Sequence, residues 1–259
     1  MKYTEAQIEN TLRGIYAGRI TMSLLPVDLY LAIASHLLNG VSQGLGQSIF
    51  EYQLDSPLKE LADNLKKDIG IFSAAKTKQQ VRAMSSFVFL EEGTVRPWVE
   101  FREEACRIFD TYNKTWLKTE RDMAVLQSQS AAKWHQYESQ KDVFPLLKYQ
   151  TVGDERVRQD HRKWDGIVRP VDDPFWDTHA PQNDWRCRCV LIQVRPEEAE
   201  VTPVDNVPDV DKDFKFNPGK EMRVFDDDHP YYDFAPRDRA GLEDRFGLPD
   251  IDESNIIKD

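Results

Sequence analysis

Between residues 149 and 194 the sequence reads YQTVGDERVRQDHRKWDGIVRPVDDPFWDTHAPQNDWRCRCVLIQV, and this stretch concentrates the side chains suited to metal or proton chemistry. It holds two of the five histidines, two of the three cysteines and three of the six tryptophans. Thiolate and imidazole are the ligands zinc prefers, and His161, His179, Cys187 and Cys189 would complete a four-ligand set. On a strand, Cys187 and Cys189 point to one face with Trp185 and Leu191, while Arg186, Arg188 and Val190 point to the other. Same-face thiols can reach one ion. Paired zinc cysteines are commonly separated by about two to four residues, and here only one intervenes. The competing reading is that both thiols are small buried hydrophobes behind Trp185.

The carboxylates are open to two readings as well. Asp154, Asp165, Asp172 and Asp173, with His161 and His179, are the types that bind catalytic metals or exchange protons. Yet Asp165-Gly166 and Asp172-Asp173-Pro174 are turn sequences in which a carboxylate caps backbone amides. Arg156 and Arg158 lie close enough in sequence to pair with these acids. A structural network of Arg, Asp and His is the more economical account, so the expectation is not an enzyme. The alternative is a metal-dependent enzyme, nuclease-like or toxin-like, built on the same His, Asp and Cys cluster. Either way, so short and polar a unit needs a staple, in the form of a metal or a tight hydrogen-bond network.

The elements that must position these residues form an α+β chain. Its 259 residues suit one large domain or two small ones. Residues 5–18 and 26–43 have helical apolar spacing, with Gly40, Gly44 and Gly46 loosening the second helix. That second segment is apolar on much of its circumference and must be buried, in the protein or against a partner. Residues 57–69 and 74–88 fit two short helices separated by 70–73. After Pro97 a periodic pattern runs to about residue 140, roughly 65 Å if it is one helix at about 1.5 Å per residue. It reads either as a core helix of a bundle or as a rod bridging parts of an assembly. Residues 146–152 and 187–194 are strand-like, with a short helix around 156–163 between them. The expected division is a helical region at 1–141, a small mixed α/β, loop-rich module at 142–196, and an irregular acidic Pro-rich tail at 197–259, whose apolar clusters Phe214–Phe216 and Tyr231–Phe234 are suited to docking on the body or on a neighbour.

Charge is distributed unevenly. There are 34 Lys and Arg against 45 Asp and Glu, a net −11, and the residues from 200 onward carry 17 acids and 8 bases of these. An acidic tail is repelled by nucleic acid and drawn to basic protein surfaces. DNA contact would rest on a local patch of Arg156, Arg158, Arg162 and Lys163. No apolar run of about eighteen residues occurs, so the sequence predicts neither a membrane span nor a secretory leader. Three cysteines do not make a disulfide framework, and a reducing compartment is expected.

TVGDERVRQDH, the WDGIV that follows, PVDDPFWDTHAPQNDW and CRC occur in an order and spacing that resemble the phage head morphogenesis family, the Mu F-like minor head proteins. FSAAKTKQQVRAM and TYNKTWLKTERDMAVLQSQSAAKW are similar to the family's helical lead-in, and HPYY at residues 229–232 resembles a downstream motif. The signature positions are Asp154, Arg156, His161, Asp165, Gly166, Asp172, Asp173, Trp176, Cys187 and Cys189. Two details differ from the usual pattern: Trp164 stands where a smaller aliphatic residue commonly precedes the aspartate, and Asn183–Asp184 replaces a Gly-containing turn. The resemblance implies a minor capsid protein of a phage or prophage virion, present in the host cytoplasm during assembly. Its implied partners are the portal and the major capsid or scaffold protein, with DNA contact in some members. It assigns the signature residues to the fold rather than to an active site.

Overall fold

The computed structural model describes residues 1–233 and 248–257. The chain forms two compact units. One comprises Met1–Gly40, Lys66–Arg121 and His229–Asp259, and the other Val41–Leu65 and Asp122–Asp228. The architecture is α+β, as the sequence predicts, with long helices and a small antiparallel sheet. Among the described residues no helix is long and apolar enough to cross a membrane.

The first unit is helical, although residues 41–45 and 59–65 of the helices described next belong to the second. Helix α1 (Glu5–Tyr16) opens with a capping box: Thr4 Oγ1 accepts from the Gln7 amide and Gln7 Oε1 accepts from the Thr4 amide. Helix α2 (Val27–Leu45) starts directly after Pro26, and its apolar circumference is buried, with Leu29, Ile33 and Leu37 fully enclosed. Residues 70–73 do not break the chain into two helices. Helix α3 (Lys59–Ser85) runs straight through them. A glycine inside a helix costs about 1 kcal/mol, whereas full burial of a side chain such as Ile69 or Phe72 contributes about 1.5–3 kcal/mol each. Packing therefore overrides the local propensity.

The periodic stretch after Pro97 is one helical run made of α4 (Trp98–Asp110), a π turn (Thr111–Trp116) and α5 (Leu117–Ser139). Asn113, buried in that turn, donates to the Phe109 carbonyl at 3.0 Å and to Gln80 Oε1 at 2.6 Å.

Beyond the turn, Glu120 meets Lys76 in the interior of this unit. Lys76 Nζ lies 2.9 Å from Glu120 and donates to Tyr231 Oη at 3.1 Å, while Tyr231 donates to Glu120 Oε1 at 2.7 Å. The ammonium also sits over the rings of Tyr112 and Tyr231. Burial presses the Lys76 pKa down and the Glu120 pKa up, and each partner's charge opposes that shift.

The second unit carries the sheet: β1 (Leu146–Gln150), β2 (Val168–Pro170) and β3 (Val190–Val194), in the order β2-β1-β3 and antiparallel throughout. Leu147 of the central strand pairs with Arg169 on one side and Gln193 on the other. Short helices α6 (Gln159–Trp164), α7 (Phe175–His179) and α8 (Pro218–Glu221) surround it. Tyr137 of α5 donates to the Leu191 carbonyl at 2.8 Å, tying helix to sheet. Gly44 does not loosen α2. It is a crossing point, where a Cβ would collide with the Val125 carbonyl and Ser128 Oγ.

The acidic segment from residue 197 is irregular in secondary structure, as expected, but it is packed rather than free. Phe214, Phe216, Val224 and Phe225 are buried in the second unit, and Tyr231, Tyr232 and Ile251 in the first. Phe234 lies outside the described residues.

Removing one member of the buried pair strands the other charge. Lys76→Met or Glu120→Leu alone is expected to destabilise by about 3–5 kcal/mol in urea unfolding, and the Lys76→Met/Glu120→Leu double variant by clearly less than the two together. Additive losses would show that the two charges do not depend on each other.

Candidate functional site

Sequence reasoning places Cys187 and Cys189 on a strand, but ladder pairing begins only at Val190. The alternation nonetheless starts earlier: Cys187, Cys189 and Leu191 are buried while Arg186, Arg188 and Val190 are exposed. The segment is extended beyond the end of β1, so it has the pleat without the partner. It is entered through Arg186, whose φ of 58° is left-handed, and through a turn in which the Cys187 amide donates to the Asp184 carbonyl at 3.0 Å.

Helix α6 supplies the facing side chain. Spacing of three puts His161 and Trp164 on its inner side, stacked at 4.7 Å. His161 Nδ1 lies 3.6 Å from Cys187 Sγ and 3.5 Å from Cys189 Sγ. All three residues are buried, at 4%, 2% and 3% exposure. Hydrogen bonding from Cys189 holds the Cys187 thiol well below the usual range, while the same hydrogen bond and burial push Cys189 up.

Of the four residues that sequence spacing offers as ligands, three converge. His179 stands apart from them. Its Nε2 lies 3.1 Å from the Pro208 carbonyl and its Nδ1 lies 2.8 Å from Thr178 Oγ1. Because a carbonyl only accepts, Nε2 carries the proton. The ring stacks on Phe175 at 4.2 Å and meets Trp164 edge-on at 5.2 Å.

The other candidates are tied into the scaffold. Asp154 receives both terminal nitrogens of Arg188 at 2.7 and 2.9 Å, as well as the Arg156 amide. Asp165 accepts from the Thr151 amide at 2.7 Å, and Gly166 follows with φ +82°, a conformation that favours glycine. Asp172 pairs with Lys141 at the surface. Asp173 binds Arg169 Nε at 2.9 Å and caps the Phe175 amide. Trp176, fully buried, donates to the Pro170 carbonyl at 2.9 Å. Of the basic patch, Arg158 pairs with Asp184 and donates to the Trp185 carbonyl, Arg162 donates to the Val157 and Asp154 carbonyls, and Lys163 pairs with Asp160.

Four polar residues escape sequence reasoning. Tyr149 donates to Asn183 Oδ1 at 3.1 Å close to the two thiols, and Asn183 donates to the Ala180 carbonyl at 2.9 Å. Gln182 donates to the Cys189 carbonyl, and Gln127 donates to the Gln182 carbonyl, both at 3.3 Å. Amides and a strand tyrosine carry no spacing signal, so nothing in the sequence marks them.

The family described as Phage Mu protein F like protein matches residues 32–192, which include all of these groups except Pro208. The chain belongs to this family. Among its relatives, the Mu-like prophage FluMu F protein of Haemophilus influenzae is 30% identical over 106 residues, covering 36% of this chain and 25% of that protein. Putative capsid assembly protein F of Escherichia phage Mu is 39% identical over 59 residues, 23% of this chain and 13% of that protein. The Mu F-like chain thus spans at most a quarter of the length of these relatives. No solved structure matches it.

Burial lowers the pKa of His179 from its ordinary 6.5. Below that value the unfolded chain takes up a proton that the folded protein resists, so the His179 contribution is fully present above pH 6.5 and is lost as pH falls. The thermal midpoint should therefore drop between pH 7.5 and 5.5, with a shallower drop in His179→Gln. Identical slopes would contradict the assignment.

Proposed function

We propose that this Mu F-like chain is a minor structural protein of a phage or prophage head, and that it acts in head assembly by contacting the portal and the major capsid or scaffold protein. The observation that carries this reading is the family match over residues 32–192, together with the naming of the phage Mu relative as a capsid assembly protein. On this reading the protein resides in the virion and is in the host cytoplasm while heads assemble.

The surface supports a role in protein contact. Met22, Leu24 and Val27 expose apolar side chains within one short stretch, and the acid excess favours basic protein surfaces. A role in DNA packaging or delivery would draw on the patch at Arg156, Arg158, Arg162 and Lys163, three of whose members already serve internal partners. Protein contact is therefore the primary mode.

Co-expression with the portal protein encoded by the same phage is expected to yield one complex by size-exclusion chromatography at physiological salt, and mass spectrometry of purified virions should find the chain. Separate elution from the portal together with absence from virions would overturn the proposal.

A further inference from the structure

We propose that His161 Nδ1, Cys187 Sγ and Cys189 Sγ bind one zinc ion that ties helix α6 to the extended segment preceding β3. The inference concerns the folded module itself and does not depend on the head-assembly reading.

The distances carry the argument. A tetrahedral zinc with sulfur at about 2.3 Å and nitrogen at about 2.0–2.1 Å has N···S edges of about 3.5–3.6 Å. The two Nδ1···Sγ separations here are 3.6 and 3.5 Å, and the three ligand atoms all lie within 4.8 Å of one another. Hydrogen bonding alone does not explain this symmetry. Nδ1 offers one proton or one lone pair, so two thiols at equal distance divide a single weak N···S hydrogen bond between them. A single cation between the three atoms accounts for both separations at once.

The donor set selects the ion. Two soft thiolates and one imidazole favour zinc over magnesium, calcium or manganese. Two thiolates also neutralise a divalent cation, so the loaded centre is uncharged and suits its burial. Binding releases the proton or protons still held by the thiols to solvent.

Among the described residues no fourth His, Cys or carboxylate joins this group. The nearby polar ties act as an outer shell: Gln182 holds the Cys189 carbonyl, and Arg188 and Arg158 anchor the segment to Asp154 and from Asp184. The centre is structural in kind, because its ligands are enclosed and its effect is to close a loop.

The test is the metal content of the full chain, purified without chelator from zinc-supplemented medium. Plasma mass spectrometry is expected to find one zinc per chain. Zinc should be lost in the Cys187→Ser/Cys189→Ser variant and in His161→Ala, and kept in His161→Cys and in Cys106→Ser, whose thiol lies in α4. Where a variant does not fold, cobalt substitution of the wild-type protein supplies the reading: a thiolate-to-cobalt charge-transfer band with tetrahedral ligand-field absorption supports the site. Metal-free wild-type protein that also gives no cobalt band would overturn the proposal, as would zinc retained by the double serine variant.

Discussion

The turn at residues 184–186 leads into residues 187–189, which run up to β3 before its ladder begins, and the second unit depends on how that segment is held. Three ties bind it to residues 154–164: Arg158 to Asp184 and the Trp185 carbonyl, Arg188 to Asp154, and His161 facing both thiols. The first two are partly exposed and contribute little individually. The third is enclosed, which makes it the place where a charge or an ion has the largest effect. If these ties slip, the register of β3 on β1 loses its anchor, and Tyr137 loses the Leu191 carbonyl that joins α5 to the sheet.

The first unit resolves the opposite problem. Its helices bury ample apolar surface, and what must be controlled is a charge inside that surface. Lys76 and Glu120 sit among Tyr112 and Tyr231, so the hydroxyl and ring faces stand in for water. Such a pair adds no more stability than an apolar replacement of equal fit, but removing one partner leaves the other charge buried and unpaired. The π turn at Thr111–Trp116 lies just before Glu120 in the same helical run.

Much of this was legible in the sequence, and the rest was hidden for identifiable reasons. The alternation through Cys187, Cys189 and Leu191 correctly predicted which side chains turn inward, because side-chain direction follows backbone extension and needs no ladder partner. The choice of His161 over His179 was not legible, since both are histidines in a polar stretch and only the position of the Pro208 carbonyl separates them. The glycine and serine near residue 70 suggested a break in α3 that tertiary burial overrode. The aromatic clusters at 214–216 and 231–234 mark where the acid-rich tail can dock, and Phe214, Phe216, Tyr231 and Tyr232 are indeed buried; the interior partners of Tyr231 carry no such signal, because they come from distant helices.

Residues 229–257 belong to the same compact unit as Met1–Gly40, although the intervening chain builds most of the other unit. Tyr231 completes the network around Lys76, and Ser35 Oγ accepts from the Ile257 amide at 2.9 Å. During synthesis on a ribosome, therefore, the helices that emerge first lack their final partners until residue 257 has left the exit tunnel. The second unit has all its segments by residue 228 and is free to fold earlier. Closure of the first unit therefore waits on residues made after those of the second, because Tyr231 is a partner of both the buried lysine and the glutamate.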